Sequence, residues 1–462
     1  MRMVFRGISL LLTVGLLVAR EREAVDKPLP MGYWRAALEL PGGSAAFGLE
    51  LGREGEGLRA TLLNGQERVP VPIVRYDATT KSLELNFPAY GNAIAARFED
   101  GRLLGNLTLS KRDTDQDIPF SATPGNVSTT QALPTNLDVS GRWAVSFTEE
   151  DDSQYPAIGE FAQRGSRLIG TFMTAKGDYR FLGGEMRGNG FVLSTFDGAH
   201  AFLFKAESLP DGTLIGEFWS GLKSYETFVA SADENAALPD PNSLTFLNPG
   251  FDRLEFSLPN PGGEPVSLSD AMFEGKVVII TLAGSWCPNC HDEAAFMAPL
   301  YEKYREQGLE IIALMFEHST DFETAATQVQ RFRDKFGLQY QTLVAGSSDK
   351  TEAAKVLPAL NHVLAFPTTI FIDRRGNVRR IHTGFTGPGT GEHFKRQSAD
   401  FIESIEILLA ESAEPPPPPV VESETPELDL SNDEVVEGAE EAEASGEEPA
   451  TSDDRPKGDR TD

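Results

Sequence analysis

The 462 residues carry 41 basic and 70 acidic side chains, a net charge of −29, so a nucleic-acid backbone or an anionic lipid surface would repel most of the molecule. At roughly 150 residues per domain the chain has room for about three. Its length and only two cysteines exclude a disulfide-stapled mini-protein, and 43 Gly with 30 Pro argue against a coiled coil. Residues 1–24 place Arg2 and Arg6 ahead of an apolar run from Ile8 to Ala19. That run is shorter than the roughly 20 residues needed to cross a bilayer, so it reads as an export signal, cleaved or retained as an N-terminal anchor.

From Tyr33 to about Ala230 short alternating segments are separated by Gly, Asn and Asp, which predicts a β-meander without long helices. The meander repeats. Gly32-Tyr33-Trp34 matches Gly141-Arg142-Trp143, Leu58–Leu63 matches Leu168–Met173, and Gly101–Gly105 matches Gly212–Gly216, at nearly constant offset. Two all-β units are therefore expected, 25–135 and 136–235, each with seven or eight strands in a closed barrel or a sandwich. The G-x-W opening resembles small calycin-type barrels, although a Trp that simply plugs the barrel base explains it as well.

Residues 236–250 are rich in Pro and Asn without periodicity and read as a passive linker. Strands and helices then alternate over 251–410. Strands are expected at 276–283, 309–316, 339–344, 368–373 and 378–382, and helices at 288–307, 321–336, near 350 and at 392–410, forming one mixed sheet. The last 52 residues, 411–462, hold five consecutive prolines, then 18 acids against 3 bases overall, and are expected to be disordered.

The chemistry points to the only cysteines, Cys287 and Cys290, in Trp286-Cys287-Pro288-Asn289-Cys290. Directly after a buried strand and at the start of a helix, Cys287 meets unpaired amides and the positive end of the helix dipole, which favour a thiolate. Pro288 suits the first helical position, where no amide hydrogen is needed. Cys290 lies one turn on and can resolve a mixed disulfide. A zinc half-site would need a second ligand pair, and the six His are scattered, so no metal and no cofactor are expected.

With Gly275-Lys276-Val277-Val278 before the active-site strand and Ala365-Phe366-Pro367-Thr368-Thr369-Ile370-Phe371-Ile372-Asp373 after it, these residues resemble the thioredoxin superfamily. Within it they are similar to the TlpA/ResA-like extracytoplasmic thiol:disulfide oxidoreductases. The resemblance covers about 251–410 and implies a thioredoxin-like fold. It also implies a cis Phe366–Pro367 bond facing the cysteines, with Trp286, Phe366 and Pro367 at the substrate. Glu293 falls where the family often carries an acid below the site and would accept the Cys290 proton. The alternative for Glu293 is a solvated helix residue, and His291 is expected as an exposed neighbour, with tuning of the site as its alternative. In general thioredoxins an Asp six residues before the first Cys has that role, and Thr281 stands there. The peroxiredoxin pattern places Pro and Thr at positions occupied here by Ile280 and Gly284, which argues against a peroxidase. The family's helix Pro is Ala295 here, with Pro299 one turn later.

The reading is thus a multidomain protein with an α/β thioredoxin-like domain after a duplicated β region, exported to the bacterial periplasm or cell envelope. It would act as a reductase of protein disulfides supplied by an electron-donating thiol protein, free or membrane-bound. Two alternatives stand beside it: an oxidase or isomerase, and a binding or scaffold protein whose β repeats recognise a partner while the redox domain serves as sensor.

Overall fold

The structure, a computed structural model, describes residues 28–55, 57–125 and 136–412. The export signal and all but the first two residues of the acidic tail lie outside them.

The first repeat contains β1 (Gly32–Leu40), β2 (Gly43–Glu54), β3 (Gly57–Asn64), β4 (Glu67–Pro70), β5 (Ile73–Asp77), β6 (Ser82–Phe87), β7 (Asn92–Glu99), β8 (Arg102–Leu109) and β9 (Gln116–Pro124). They form one antiparallel sheet in the order β4-β3-β2-β1-β9-β8-β7-β6-β5. Contrary to the closed barrel allowed for by the sequence, this sheet is a half-barrel: among the described residues no ladder joins β4 to β5. Pro70 and Pro72 flank the corner between these strands and remove two backbone donors.

The second repeat contains β10 (Gly141–Thr148), β11 (Gln154–Arg164), β12 (Arg167–Thr174), the two-residue β13 (Gly177–Asp178), β14 (Leu182–Arg187), β15 (Gly190–Phe196), β16 (Ala201–Ser208), β17 (Leu214–Ser220) and β18 (Ser224–Ala232). Here β11 pairs with both β10 and β12, and eight strands close into a barrel. Its interior is filled by rings, with Phe147, Phe172, Tyr179, Phe204, Phe218 and Phe228 in mutual stacked and edge contacts.

The duplication is visible at the G-x-W openings. Gly32 and Gly141 both have φ +106°, and the following indoles donate to the carbonyl four residues back, Trp34 to Pro30 at 3.1 Å and Trp143 to Val139 at 2.9 Å. Each Trp is buried in its own sheet's core. The two repeats nonetheless share packing, because Phe196 of β15 inserts between Phe47 and Phe87 of the first repeat with ring centroids 5.2 and 5.6 Å away.

The segment read as a passive linker is bound along its length. Asp240 caps a single helical turn, α1 (Pro241–Leu244), Thr383 donates to Thr245 at 2.9 Å, and the Asn248 amide donates to Ala359 at 2.7 Å. After a short hairpin of β19 (Ser257–Pro259) and β20 (Pro265–Ser267) comes the central sheet: β21 (Val277–Ala283), β22 (Leu309–Glu317), β23 (Gln341–Ser347), β24 (Thr368–Ile372) and β25 (Val378–Thr383). Its order is β23-β22-β21-β24-β25, with the first three strands parallel and the last two antiparallel to their neighbours. Helices α2 (Pro288–Tyr304), α3 (Phe322–Phe336), α4 (Lys350–Val356) and α5 (Glu392–Ala410) complete the arrangement expected from the thioredoxin resemblance. Every residue of β21 is buried, which explains its apolar run, interrupted by Thr281, and sets the Cys pair just past the end of a fully buried central strand.

Candidate active site

The turn Gly284-Ser285-Trp286 carries the chain from β21 into α2. A side chain on Gly284 would collide with the Trp286 indole and the Phe316 carbonyl, its Cβ falling 2.3 and 2.7 Å from them, so glycine is required for Trp286 to fold back. Trp286 Nε1 donates to the Phe316 carbonyl at 2.8 Å, and the half-buried indole stacks on His318 and meets Phe366 edge-on.

Cys287 is the N-cap of α2 and Pro288 its first residue. The Cys287 sulfur accepts the Cys290 amide at 3.3 Å, one of the orphan donors at the helix start, and its thiol donates to the Phe366 carbonyl at 3.4 Å. The Phe366–Pro367 bond is cis. Trp286, Phe366 and the two cysteines therefore meet at one place, with the sulfur of Cys287 against the carbonyl edge beside Pro367. Cys290 is fully enclosed. Burial, together with the charges of Cys287 and Glu293, pushes its thiol well above the ordinary cysteine value.

Glu293 is 1% exposed, not a solvated helix residue. Thr281 and Thr369 are cross-strand neighbours on β21 and β24, and their hydroxyls donate to its two carboxylate oxygens. Burial pushes this carboxyl up to about 7, against the two hydroxyl bonds that pull it down. The position held by Asp in general thioredoxins thus carries a Thr that binds the acid supplied from the helix.

His291 is 3% exposed, in contrast to the exposed neighbour expected from the sequence. Its Nε2 donates to the Ser285 carbonyl at 2.6 Å, which leaves Nδ1 to accept from Lys335 Nζ at 2.7 Å. Tyr90, from the first β repeat, stacks on the ring with centroids 4.2 Å apart. Burial and the Lys335 charge hold His291 well below the usual histidine range, so it is neutral. A second buried carboxyl, Glu317 at the end of β22, escaped sequence reasoning. It accepts from the Ser285 amide at 2.9 Å and hydroxyl at 2.6 Å, bracing the turn before Trp286, and burial pushes it up to about 7.

The outward face of the first turn of α2 is covered by the β region. Arg180, between β13 and β14, is ion-paired with Glu67 of the first repeat at 2.6 Å, Asp197 of the second at 2.9 Å, and Asp292 of α2. All four side chains are at most 13% exposed. Asp178 accepts from Asn289, the residue between Pro288 and Cys290, at 2.9 Å. Farther along, Arg112 pairs with Asp349 at 3.1 Å, and Glu160 pairs with His393 at 2.9 Å. The β sheets are thus built onto the dithiol helix, and a β module hung on a passive linker is not what the chain forms. Among the described residues no group of three or more His, Cys, Asp or Glu is placed to hold a metal ion.

Comparison with known proteins places this geometry in context. Residues 250–381 match the AhpC/TSA family. The chain is 33% identical over 135 residues to the thiol-disulfide oxidoreductase ResA of Halalkalibacterium halodurans, covering 29% of this chain and 68% of that protein. It is 33% identical over 130 residues to the thioredoxin-like protein YneN of Bacillus subtilis, covering 28% and 68%. A solved secreted thiol-disulfide isomerase from Corynebacterium glutamicum is 20% identical, with 37% of this chain and 96% of that one covered at a TM-score of 0.29. The chain spans about two thirds of the length of the curated relatives it matches, and both β repeats lie outside the match to the AhpC/TSA family.

Proposed function

The chain belongs to the ResA-type, thioredoxin-like thiol-disulfide oxidoreductases, and from that premise we propose that it reduces disulfides of protein substrates outside the cytoplasm. The Cys287 thiolate attacks one sulfur of the substrate disulfide, forming a mixed disulfide and releasing the other sulfur as a thiolate. Cys290 then gives its proton to Glu293 and attacks the Cys287 sulfur. The Cys287–Cys290 disulfide forms and the substrate leaves with its second thiol. Two electrons have passed to the substrate, and a thiol protein of the envelope returns two to the pair. Trp286, Phe366 and Pro367 form the wall against which the substrate segment lies, its backbone beside the cis-Pro edge.

The observation that carries this reading is the buried Glu293 held between Thr281 and Thr369 one helical turn below Cys290. An enclosed thiol pushed upward in pKa needs a nearby base to become an attacking thiolate, and a carboxyl titrating at about 7 is matched to that task. Resolution in the wild type should therefore accelerate as pH rises through about 7. In Glu293→Gln it should be slower by about a hundredfold and lose that pH step, read by stopped-flow decay of the mixed disulfide. Stability supplies a second readout. A carboxyl raised above its unfolded value stabilises the fold below about 4.5 and loses that contribution as pH rises through about 7. The urea midpoint of Glu293→Gln should therefore improve relative to wild type across that window. Unchanged resolution kinetics from pH 6 to 9 would remove Glu293 from the mechanism.

A further inference from the structure

Among the contacts that tie the β barrel to the dithiol helix, one reaches into the Cys-Pro-Asn-Cys turn itself. Asp178 is 6% exposed and all of its bonds are directed. Oδ2 accepts from Asn289 Nδ2 at 2.9 Å and from the Gly387 amide at 2.6 Å, and Oδ1 accepts from the Arg180 amide at 2.6 Å. Asn289 also donates to the Phe385 carbonyl at 3.3 Å. One carboxylate of the barrel thus joins the residue between the two cysteines to the loop that follows β25.

The backbones around this contact are too close for side chains. A Cβ on Gly177 would lie 2.7 Å from the Asn289 side chain, one on Gly384 3.0 Å from the Ala175 carbonyl, and one on Gly389 2.8 Å from the Arg180 backbone. On Gly387 it would lie 2.3 Å from Asp292. Glycines on both partners, Gly177 in the barrel and Gly384, Gly387 and Gly389 in the thioredoxin-like domain, are what allow the approach.

We propose that Asp178 is a positioning residue of the Cys287–Cys290 pair, supplied by the β barrel and acting through Asn289. The proposal rests on the thiol-disulfide reading of the site. Forming the disulfide brings the two sulfurs to about 2.05 Å and redraws the turn between them. The Asp178–Asn289 bond is made with Cys287 and Cys290 as separate thiols. An anchor fitted to that turn favours the dithiol over the disulfide, and loosening it shifts the equilibrium toward the disulfide. By linkage, oxidation of the pair weakens the hold of the barrel loop by the same factor.

The test equilibrates the full chain with reduced and oxidised glutathione at pH 7. In the exchange the two thiols lose two protons and two electrons as their S–S bond forms, and glutathione disulfide takes both up as two glutathione thiols. Asp178→Ala should shift the equilibrium constant toward the disulfide by about fivefold or more. In an Asn289→Ala background the same substitution should add almost nothing, because the partner through which it acts is gone. An unchanged constant, or a shift that persists in the Asn289→Ala background, overturns the proposal. Should Asp178→Ala fail to give a single thermal transition, Asn289→Ala alone decides: a shift toward the disulfide supports the anchor and none refutes it. Failure of the wild type to reach any dithiol-disulfide equilibrium with glutathione would overturn the thiol-exchange reading itself.

Discussion

Cys287→Ser is expected to abolish disulfide reduction by the full chain, whereas Cys290→Ser should still attack substrate and then stop, with one substrate molecule bonded to each chain through Cys287. The asymmetry follows from the two environments. Cys287 caps α2, where the Cys290 amide donates to its sulfur, and it abuts the Phe366 carbonyl at the cis-Pro edge. Cys290 is 1% exposed, with its thiol pushed upward by burial, so it cannot replace Cys287 against an external disulfide. Among the described residues the Cys287 sulfur hydrogen-bonds only to the Phe366 carbonyl and the Cys290 amide, so a serine hydroxyl there gains no hydrogen-bonded base to activate it and is no substitute. Non-reducing electrophoresis and mass spectrometry of the Cys290→Ser chain after exposure to a disulfide-bonded protein should show the 1:1 adduct. Equal loss of activity in both variants with no adduct would contradict the order of attack.

Arg180→Ala is expected to be the most damaging substitution away from the cysteines. It leaves the carboxylates of Glu67, Asp197 and Asp292 enclosed without their shared cation, and uncompensated buried charge costs on the order of 3–5 kcal/mol. The pH dependence has a definite sign. Burial already raises Glu67 and Asp292 above ordinary carboxylate values while Arg180 pulls them down. Without Arg180 both rise further, and a raised carboxyl loses its stabilising contribution as pH increases through its folded value. The deficit of the variant should therefore be smaller at pH 5 than at pH 8, measured as the shift in urea midpoint. A deficit below about 1 kcal/mol at pH 8, as for an exposed ion pair, would show that the interface does not depend on this residue.

The Cys pair, the helix start and the alternation of strands and helices that builds the mixed sheet were legible because each rests on local patterning: a buried apolar strand, a Pro at the first helical position and two Gly stops. The cis bond at Phe366–Pro367 was implied only by the family resemblance, and the order of the strands in the sheet was not read from the sequence. The duplication was legible from Gly and Trp at matching places, and the two Trp residues make the same hydrogen bond to the carbonyl four residues back. The cover over α2 was not legible. His291 packs against Phe332 and Phe336 of its own domain, but its cover by Tyr90, and the pairing of the half-buried Asp292 with Arg180, come from loops some 110 to 200 residues earlier. Such contacts leave no periodic trace. Asp178 and Arg180 sit in a Gly-Asp-Tyr-Arg turn, and Gly384-Phe385-Thr386-Gly387-Pro388-Gly389 follows β25; neither segment carries a pattern that names its partner, yet both are tightly approached. The openness of the first sheet was missed for a related reason. The second repeat contributes Phe196, Leu203 and Trp219 to the core of this open sheet, and alternation along its strands does not encode that partner.

The reduction potential of the Cys287–Cys290 pair in the full chain decides whether the dithiol works as an electron donor. A strong oxidant of this fold owes its potential to a stabilised reduced form. Here the Cys290 thiol is pushed upward by burial, which disfavours its thiolate and makes the dithiol a better electron donor. Glutathione equilibration at pH 7 should give a potential near that of thioredoxin-type reductants, about −270 mV, and a value near about −120 mV, that of a disulfide-forming oxidant, would contradict the assignment as a reductase.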